Sequence, residues 1–391
     1  MGSSLLTTLL LLLAGALLAR LTANRLARWA VPAIVLELGV GFGLGNTVLP
    51  FEQIRSLSGL MELGVLTLFF QVGLEVRGGL LGSRPAAVLR TVLLSALTPL
   101  LAWWPLQQAF GFSTATTLLC VAVLSATGTG VTLRALGQFG ALQTPSGRLL
   151  VGVSVLDDLP AIALLTGAML LAGTSQGVGP GSVGSGWLVL LGPALAMLSV
   201  PASRWWIQRQ GPWQPGPLGV LLLLIGCSWI GEVTGVTSLL GALWGGVLLN
   251  RLAPMAEGST EARELRGHLA LLSEVFLPLY FIGVGMRIQA GTLLDPSAWR
   301  LALVLLLLAI GCKLICGLGI SARDQAAGVD RWVVVFGLIP RGLPGLVFAS
   351  TALASGVINP TQFSALVLMV SGTTVLGLLL LGRRLAASPS A

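Results

Sequence analysis

Charge is scarce in this chain. Only 9% of its 391 residues are Asp, Glu, Lys or Arg while 55% are hydrophobic, and mean hydropathy is +0.93. That balance excludes a soluble globular domain and places the chain among membrane proteins. Lysine occurs once, as Lys313, and histidine once, as His268. The four cysteines, Cys120, Cys227, Cys312 and Cys316, all fall in apolar runs. A disulfide framework and a zinc site both lack their usual context there, and buried thiols are the plain reading. The net charge of +8 implies no nucleic-acid partner, because nearly all the arginines lie in short connections between apolar runs, where they report orientation.

What the chain has in quantity is apolar runs. With about 20 residues needed per span, thirteen candidates begin near Leu5, Ala30, Gly59, Val88, Thr114, Leu149, Trp187, Leu218, Thr237, Leu269, Leu301, Trp332 and Phe363. The first has no positive charge before it and Arg20 directly after it, so it reads as a retained helix and not a cleaved signal. Seventeen of the 22 basic residues follow odd-numbered runs; Arg55, Arg287 and Arg300 follow even ones, and Lys313 and Arg341 lie inside runs. The positive-inside rule then puts the amino terminus outside and the carboxyl terminus in the cytoplasm.

Six runs, a bridging seventh and six more make the second half enter the membrane upside down, the inverted-repeat design of secondary transporters. The expected fold is an all-α polytopic membrane protein of about 13 spans. Such repeats have broken helices at matching positions. The fifth run holds Thr127-Gly128-Thr129-Gly130, and the twelfth holds Pro340-Arg341-Gly342-Leu343-Pro344-Gly345. Scattered glycines such as Gly245 and Gly246 mean close packing between helices. The two clusters differ, because proline removes a backbone donor and adjacent glycines loosen a helix that should be stiff.

Three of the charges in this hydrocarbon need a reason. Asp157 and Asp158 lie in the sixth run and Lys313 in the eleventh, where each ionised side chain costs roughly 2.5–3.5 kcal/mol and needs a polar cavity, a partner or an ion. At 1.5 Å per residue, Asp157 lies about 12 Å in from one side and Lys313 about 18 Å in from the other, in a core about 30 Å thick. Both reach one level, and Thr127 and Pro340 come out near it. Adjacent aspartates point about 100° apart on a helix, so one pairs with Lys313 while the other faces the cavity as an ion ligand. Pro160 leaves the Leu156 carbonyl without its helical donor and available to a cation. A buried lysine, unlike arginine, can lose its proton, so Lys313 is either a proton-releasing group or one end of a static pair that orients two helices.

The run Gly147-Arg148 through Asp157-Asp158 resembles the ion-site helix of the cation:proton antiporter 2 family, which includes bacterial sodium/proton antiporters and potassium efflux systems. The stretches Phe69 to Glu75, Leu240 to Gly246, Phe276 to Gly285 and Pro340 to Ala349 match the family in order along nearly the whole chain. The resemblance implies a homodimer, with a dimerisation panel at about 4–80 and 217–287, a mobile core at about 88–172 and 299–382, and a linker helix at about 186–202. It further implies that Asp158 is the essential cation and proton ligand, that Asp157 is the partner of Lys313, and that Thr127, Gly128, Thr129, Pro340, Arg341 and Gly342 form the crossing. Sodium, or potassium or lithium, would sit at Asp158 with Asp157 and Thr129, and Ser154 and Glu75 are auxiliary candidates. Two acids at this position lean toward electrogenic sodium/proton exchange.

The chain departs from the family where Leu343 stands in place of a common acidic residue. It ends at Ala391, soon after Arg384, so no cytoplasmic nucleotide-binding domain is expected. Glu75 reads as a surface or funnel charge beside Arg77, and Arg341 as satisfying broken-helix carbonyls or a carboxylate. His268, beside Glu257, Glu261 and Glu264, reads as a solvated bystander or cytoplasmic pH sensor. Trp205, Trp206 and Trp332 read as interfacial anchors. The expected function is antiport of Na+ against H+ by alternating access, non-enzymatic and without cofactor. K+/H+ antiport, a sodium-coupled organic-anion symporter and a non-transporting sensor are the rivals.

Overall fold

The computed structural model describes residues 5–25, 32–75, 84–172, 188–211, 213, 216–234, 238–253 and 260–387, and every regular element among them is helical. In chain order these are α1 (Leu5–Arg25), α2 (Ala33–Thr47), α3 (Phe51–Ile54), α4 (Ser58–Glu75), α5 (Pro85–Leu97), α6 (Trp103–Phe110), α7 (Thr114–Ser125), α8 (Thr129–Gln138), α9 (Pro145–Leu171) and α10 (Leu188–Gln210). There follow α11 (Pro217–Val233), α12 (Ser238–Leu252), α13 (Thr260–Met286), α14 (Ala290–Leu293), α15 (Pro296–Cys316), α16 (Ala322–Ala326), α17 (Arg331–Leu338), α18 (Gly342–Ala354) and α19 (Pro360–Ala387).

Among the described residues, seven stretches are long and apolar enough to cross a bilayer, and Ala33–Thr47, Thr114–Ser125, Pro217–Val233 and Pro344–Ala354 are shorter apolar helices. Each of the thirteen runs falls on a helix, but several are too short to be full spans, and two are divided between a pair of helices. Starts are marked by cap chemistry. Proline opens α5, α9, α11 and α15, where its missing N–H is no loss, and Thr144 and Asp295 accept backbone N–H bonds ahead of α9 and α15. Pro160 does not end α9, which runs on through it to Leu171.

The chain forms two compact units, one of Met1–Ile54, Gly78–Ala172 and Phe281–Ala391, the other of Arg55–Arg77 and Gly173–Tyr280. In the second, α4 and α12 touch backbone to backbone. A Cβ at Gly246 would lie 2.0 Å from the Phe70 carbonyl oxygen, and one at Gly73 would lie 2.0 Å from that of Leu243. In the first, two successions match: a long span (α5–α6), a divided pair (α7, α8) and a long span (α9), then α15, the divided pair α17 and α18, and α19. Beneath α17, Val333, Val334 and Leu338 pack on Leu150 and Val153 of α9, Val88 and Val92 of α5 and Leu381 of α19.

At one rim of this unit, Asp324 closes a capping box with Ser321 and pairs with Arg84 at 3.2 Å and Arg90 at 2.9 Å. The Ser321 hydrogen bond, with help from the two guanidiniums, holds the Asp324 carboxyl below its ordinary value. His268 and Glu264 are exposed, as are Trp205, Trp206 and Trp332.

Two outcomes follow for stability. Gly246→Val should force α4 and α12 apart and lower the stability of the purified protein by about 1–3 kcal/mol; an unchanged melting temperature in detergent would show that the contact is not tight. Because the Asp324 value is depressed on folding, its contribution is complete above the unfolded value of about 3.9 and is lost as pH falls through the folded value. Asp324→Asn should therefore be less stable than the unaltered protein at pH 7, and the gap should close in acid. A gap that stays constant down to strong acid would contradict the assignment.

Candidate functional site: two broken helices and a buried ion pair

The two divided pairs meet where their backbones break. After α7, Ala126 adopts extended geometry at ψ 144°, and helix resumes only at Thr129. In the second pair the break covers residues 339–341, and Gly342 begins α18 at φ +45°, a left-handed conformation that glycine takes without strain. The break is narrower than the six-residue proline-glycine cluster read from sequence. Pro344 and Gly345 lie in the first turn of α18, where a missing proline donor goes unnoticed.

Gly128 N–H donates to the Pro340 carbonyl at 2.6 Å. A Cβ on Gly128 would come within 3.0–3.2 Å of Pro340 and Gly342 backbone, and one on Gly342 within 3.0 Å of the Gly128 Cα. The Pro340 ring itself fits only because Gly377 of α19 has no side chain, since a Cβ there would lie 2.6 Å away. Backbone groups freed by the breaks find side chains. Thr132 Oγ1 donates to the Gly337 carbonyl at 2.8 Å, and Thr374 Oγ1 accepts from Gly342 N–H at 3.2 Å. Arg341, fully buried, donates from its two terminal nitrogens to the carbonyls of Ala126 (3.0 Å) and Ala309 (2.9 Å). The guanidinium thus stitches three elements, and carbonyls, not a carboxylate, are its described partners.

Beside the crossing lies the ion pair. Lys313 Nζ on α15 is 2.8 Å from Asp157 Oδ2 on α9, and both side chains are fully buried. The ammonium also donates to the Ser125 carbonyl at 3.0 Å, to Thr127 Oγ1 at 3.1 Å and to Ser95 Oγ. Thr127 Oγ1 in turn donates to Asp157 Oδ2 at 2.5 Å. A lysine ammonium has three N–H donors, so these acceptors more than saturate it, which is what a buried charge needs to offset its lost hydration. The carboxylate is less well served: Asp157 Oδ1 has no hydrogen-bond partner among the described residues, and neither has Ser125 Oγ. A buried carboxylate oxygen left without a donor is costly, so Asp157 Oδ1 is the less settled end of the pair.

Of the residues singled out in the sequence, Thr127, Asp157 and Lys313 are in mutual contact, and Gly128, Pro340, Arg341 and Gly342 make up the crossing. Ser154 is fully buried on α9 one turn before Asp157. Thr129 opens α8 and Asp158 lies within α9, while Glu75 ends α4; the side chains of all three lie outside the described ones. Sequence reasoning missed Ser95, Ser125, Ala309 and Thr374. Ser95 stands between Thr91 and Thr98 in its apolar stretch, so nothing in sequence sets it apart; the carbonyls of Ser125 and Ala309 had no signal either, since every residue carries one. Cys312 and Cys316 hydrogen bond to the Thr98 and Cys312 carbonyls, as buried thiols do.

Removing one partner from a buried pair strands the other. Lys313→Met should destabilise the protein by about 3–5 kcal/mol, and adding Asp157→Asn should recover much of the loss. Additive effects in that double-mutant cycle, read by thermal denaturation, would contradict a direct pair.

A family model for the transmembrane sodium/hydrogen exchanger matches residues 9–382. The chain is 28% identical over 350 residues to the high-affinity Na+/H+ antiporter NhaS3 of Synechocystis, covering 82% of this chain and 70% of that protein. It is 24% identical over 364 residues to the Na+/H+-K+ antiporter GerN of Bacillus cereus, covering 91% of each. Among solved structures, the sodium proton antiporter MjNhaP1 of Methanocaldococcus jannaschii at pH 8 superposes with a TM-score of 0.68 over 97% of this chain and 100% of that one, at 17% identity. That last likeness is one of fold.

Proposed function

The chain belongs to the transmembrane sodium/hydrogen exchanger family, and from that premise we propose that it exchanges sodium for protons by alternating access, with Asp158 as the shared ligand. It is a monovalent cation/proton antiporter. The observation that carries the proposed mechanism is the buried Asp157–Lys313 pair beside the crossing of two broken helices.

Sodium and protons compete for the same carboxylates, and occupation by either neutralises the site enough for it to cross the bilayer. Asp158 and Thr129 hold the cation together with Asp157, whose Oδ1 is open to it. A cation drawn to Asp157 competes with Lys313 for the same carboxylate. Protonation of Asp158 in acid excludes sodium, so exchange slows as pH falls. Ser154 and Glu75 are auxiliary groups on the cation path. The core of about 88–172 and 299–382 moves against the panel of about 4–80 and 217–287, joined by the linker helix at about 186–202. Two copies assemble through their panels in a bacterial-type plasma membrane, amino terminus outside. Potassium is the second cation to test, because the Bacillus cereus relative's name includes it.

In proteoliposomes loaded with a pH-sensitive dye, a sodium gradient should drive a lumenal pH change that Li+ reproduces and K+ does so less well, and an imposed voltage should alter its rate. Asp158→Asn should abolish it. A sodium-dependent signal that persists in that variant would remove Asp158 from the mechanism.

A further inference from the structure

Arg287 is one of only three arginines on the side that the charge count makes external, so its position runs against the bias that places basic residues elsewhere. It directly follows α13, where the chain leaves the proposed panel for the proposed core. Its base is rigid. Gly41 and Gly45 of α2 face the backbone of Ile282 and Met286 so closely that a Cβ would lie 2.1 and 2.6 Å from them, and a Cβ on Gly285 would lie 2.2 Å from the Leu38 carbonyl oxygen. Asn46 then fixes the next residues, donating to the Ile288 carbonyl at 2.9 Å and accepting from Ala290 N–H at 2.9 Å.

From that base the Arg287 side chain reaches out. Its guanidinium carbon lies 4.2 Å from the centre of the Phe51 ring. One terminal nitrogen donates to both the carbonyl and the hydroxyl of Ser350 on α18, each at 3.3 Å. Ser350 is buried and stands two turns beyond the Gly342 break. A backbone-locked segment is thus tied by one charged side chain to the outer half of a broken helix that belongs to the crossing.

We propose that Arg287 is a positioning residue for transport, an external latch that holds α18 against the α2–α13 segment and must release when the ion site opens outward. This inference rests on the alternating-access reading above. The latch has the strength such a switch requires: a charge-assisted hydrogen bond and a cation–π contact are strong enough to bias two states yet weak enough to break in each cycle. Closing the outer side lowers the fraction of carriers competent to bind external sodium, which weakens apparent external affinity by that fraction.

The test compares apparent KM for sodium in right-side-out and inside-out vesicles containing the full-length protein. Arg287→Gln should lower the external KM relative to the internal one by about tenfold, the equivalent of one charge-assisted hydrogen bond. Phe51→Leu and Ser350→Ala should move the ratio the same way by less, and they serve if the arginine variant fails to fold. A merely structural role lowers the amount of active protein without moving the ratio. Retained exchange with an unshifted ratio in these variants overturns the latch alone; absence of cation/proton exchange in the unaltered protein overturns the reading beneath it as well.

Discussion

A lysine ammonium and an aspartate carboxylate, both fully buried and 2.8 Å apart, can persist inside an apolar helical protein only if something replaces the water each has lost. Here the replacement comes from the backbone. The carbonyl of Ser125, set free where α7 stops, and the hydroxyls of Thr127 and Ser95 complete the ammonium's shell. The break in α7 and the charge of Lys313 are therefore one feature. An unbroken helix would withdraw the carbonyl, and an apolar residue at 313 would leave the Asp157 carboxylate with the Thr127 hydroxyl as its one described donor.

The same constraint explains Arg341. Two helices that both stop and restart leave several carbonyls without donors, and a single arginine with its fork of N–H groups reaches Ala126 on one side and Ala309 on the other. Gly128, Gly342 and Gly377 are needed for a related reason: the crossing backbones and the Pro340 ring occupy the space that a Cβ would fill. Position by position, small residues allow approach and charged ones repair the hydrogen bonding that the approach interrupts. The site is thus held by polar groups whose alternative partners are close at hand, a fitting environment for a mechanism in which an ion changes places with a proton.

Much of this was legible in the chain. Lone charges in apolar runs, the paired aspartates, the single lysine and the glycine-proline clusters all violate the rules that a plain membrane helix obeys, and of these Asp157, Lys313 and the two clusters come together in the structure. Of the second cluster, Pro344 and Gly345 fall in the first turn of α18 and not in the gap, a distinction invisible in sequence because proline in a helix's first turn looks like proline in a gap. Pro160, read as interrupting only one carbonyl's bonding within its run, does lie inside an unbroken α9. The partners supplied by backbone, at Ser125, Ala126 and Ala309, left no trace in residue type.

By itself the sequence determined that the protein is a helical membrane protein, which residues carry charge into its interior and where its helices are weakest, because hydropathy, periodicity and backbone chemistry are local properties. Only the tertiary structure decided that Asp157 contacts Lys313 across 156 positions, that Gly128 meets Pro340, and that Arg341 binds carbonyls. Those choices depend on how close two remote backbones can come, and that distance is set by the packing of every helix around them.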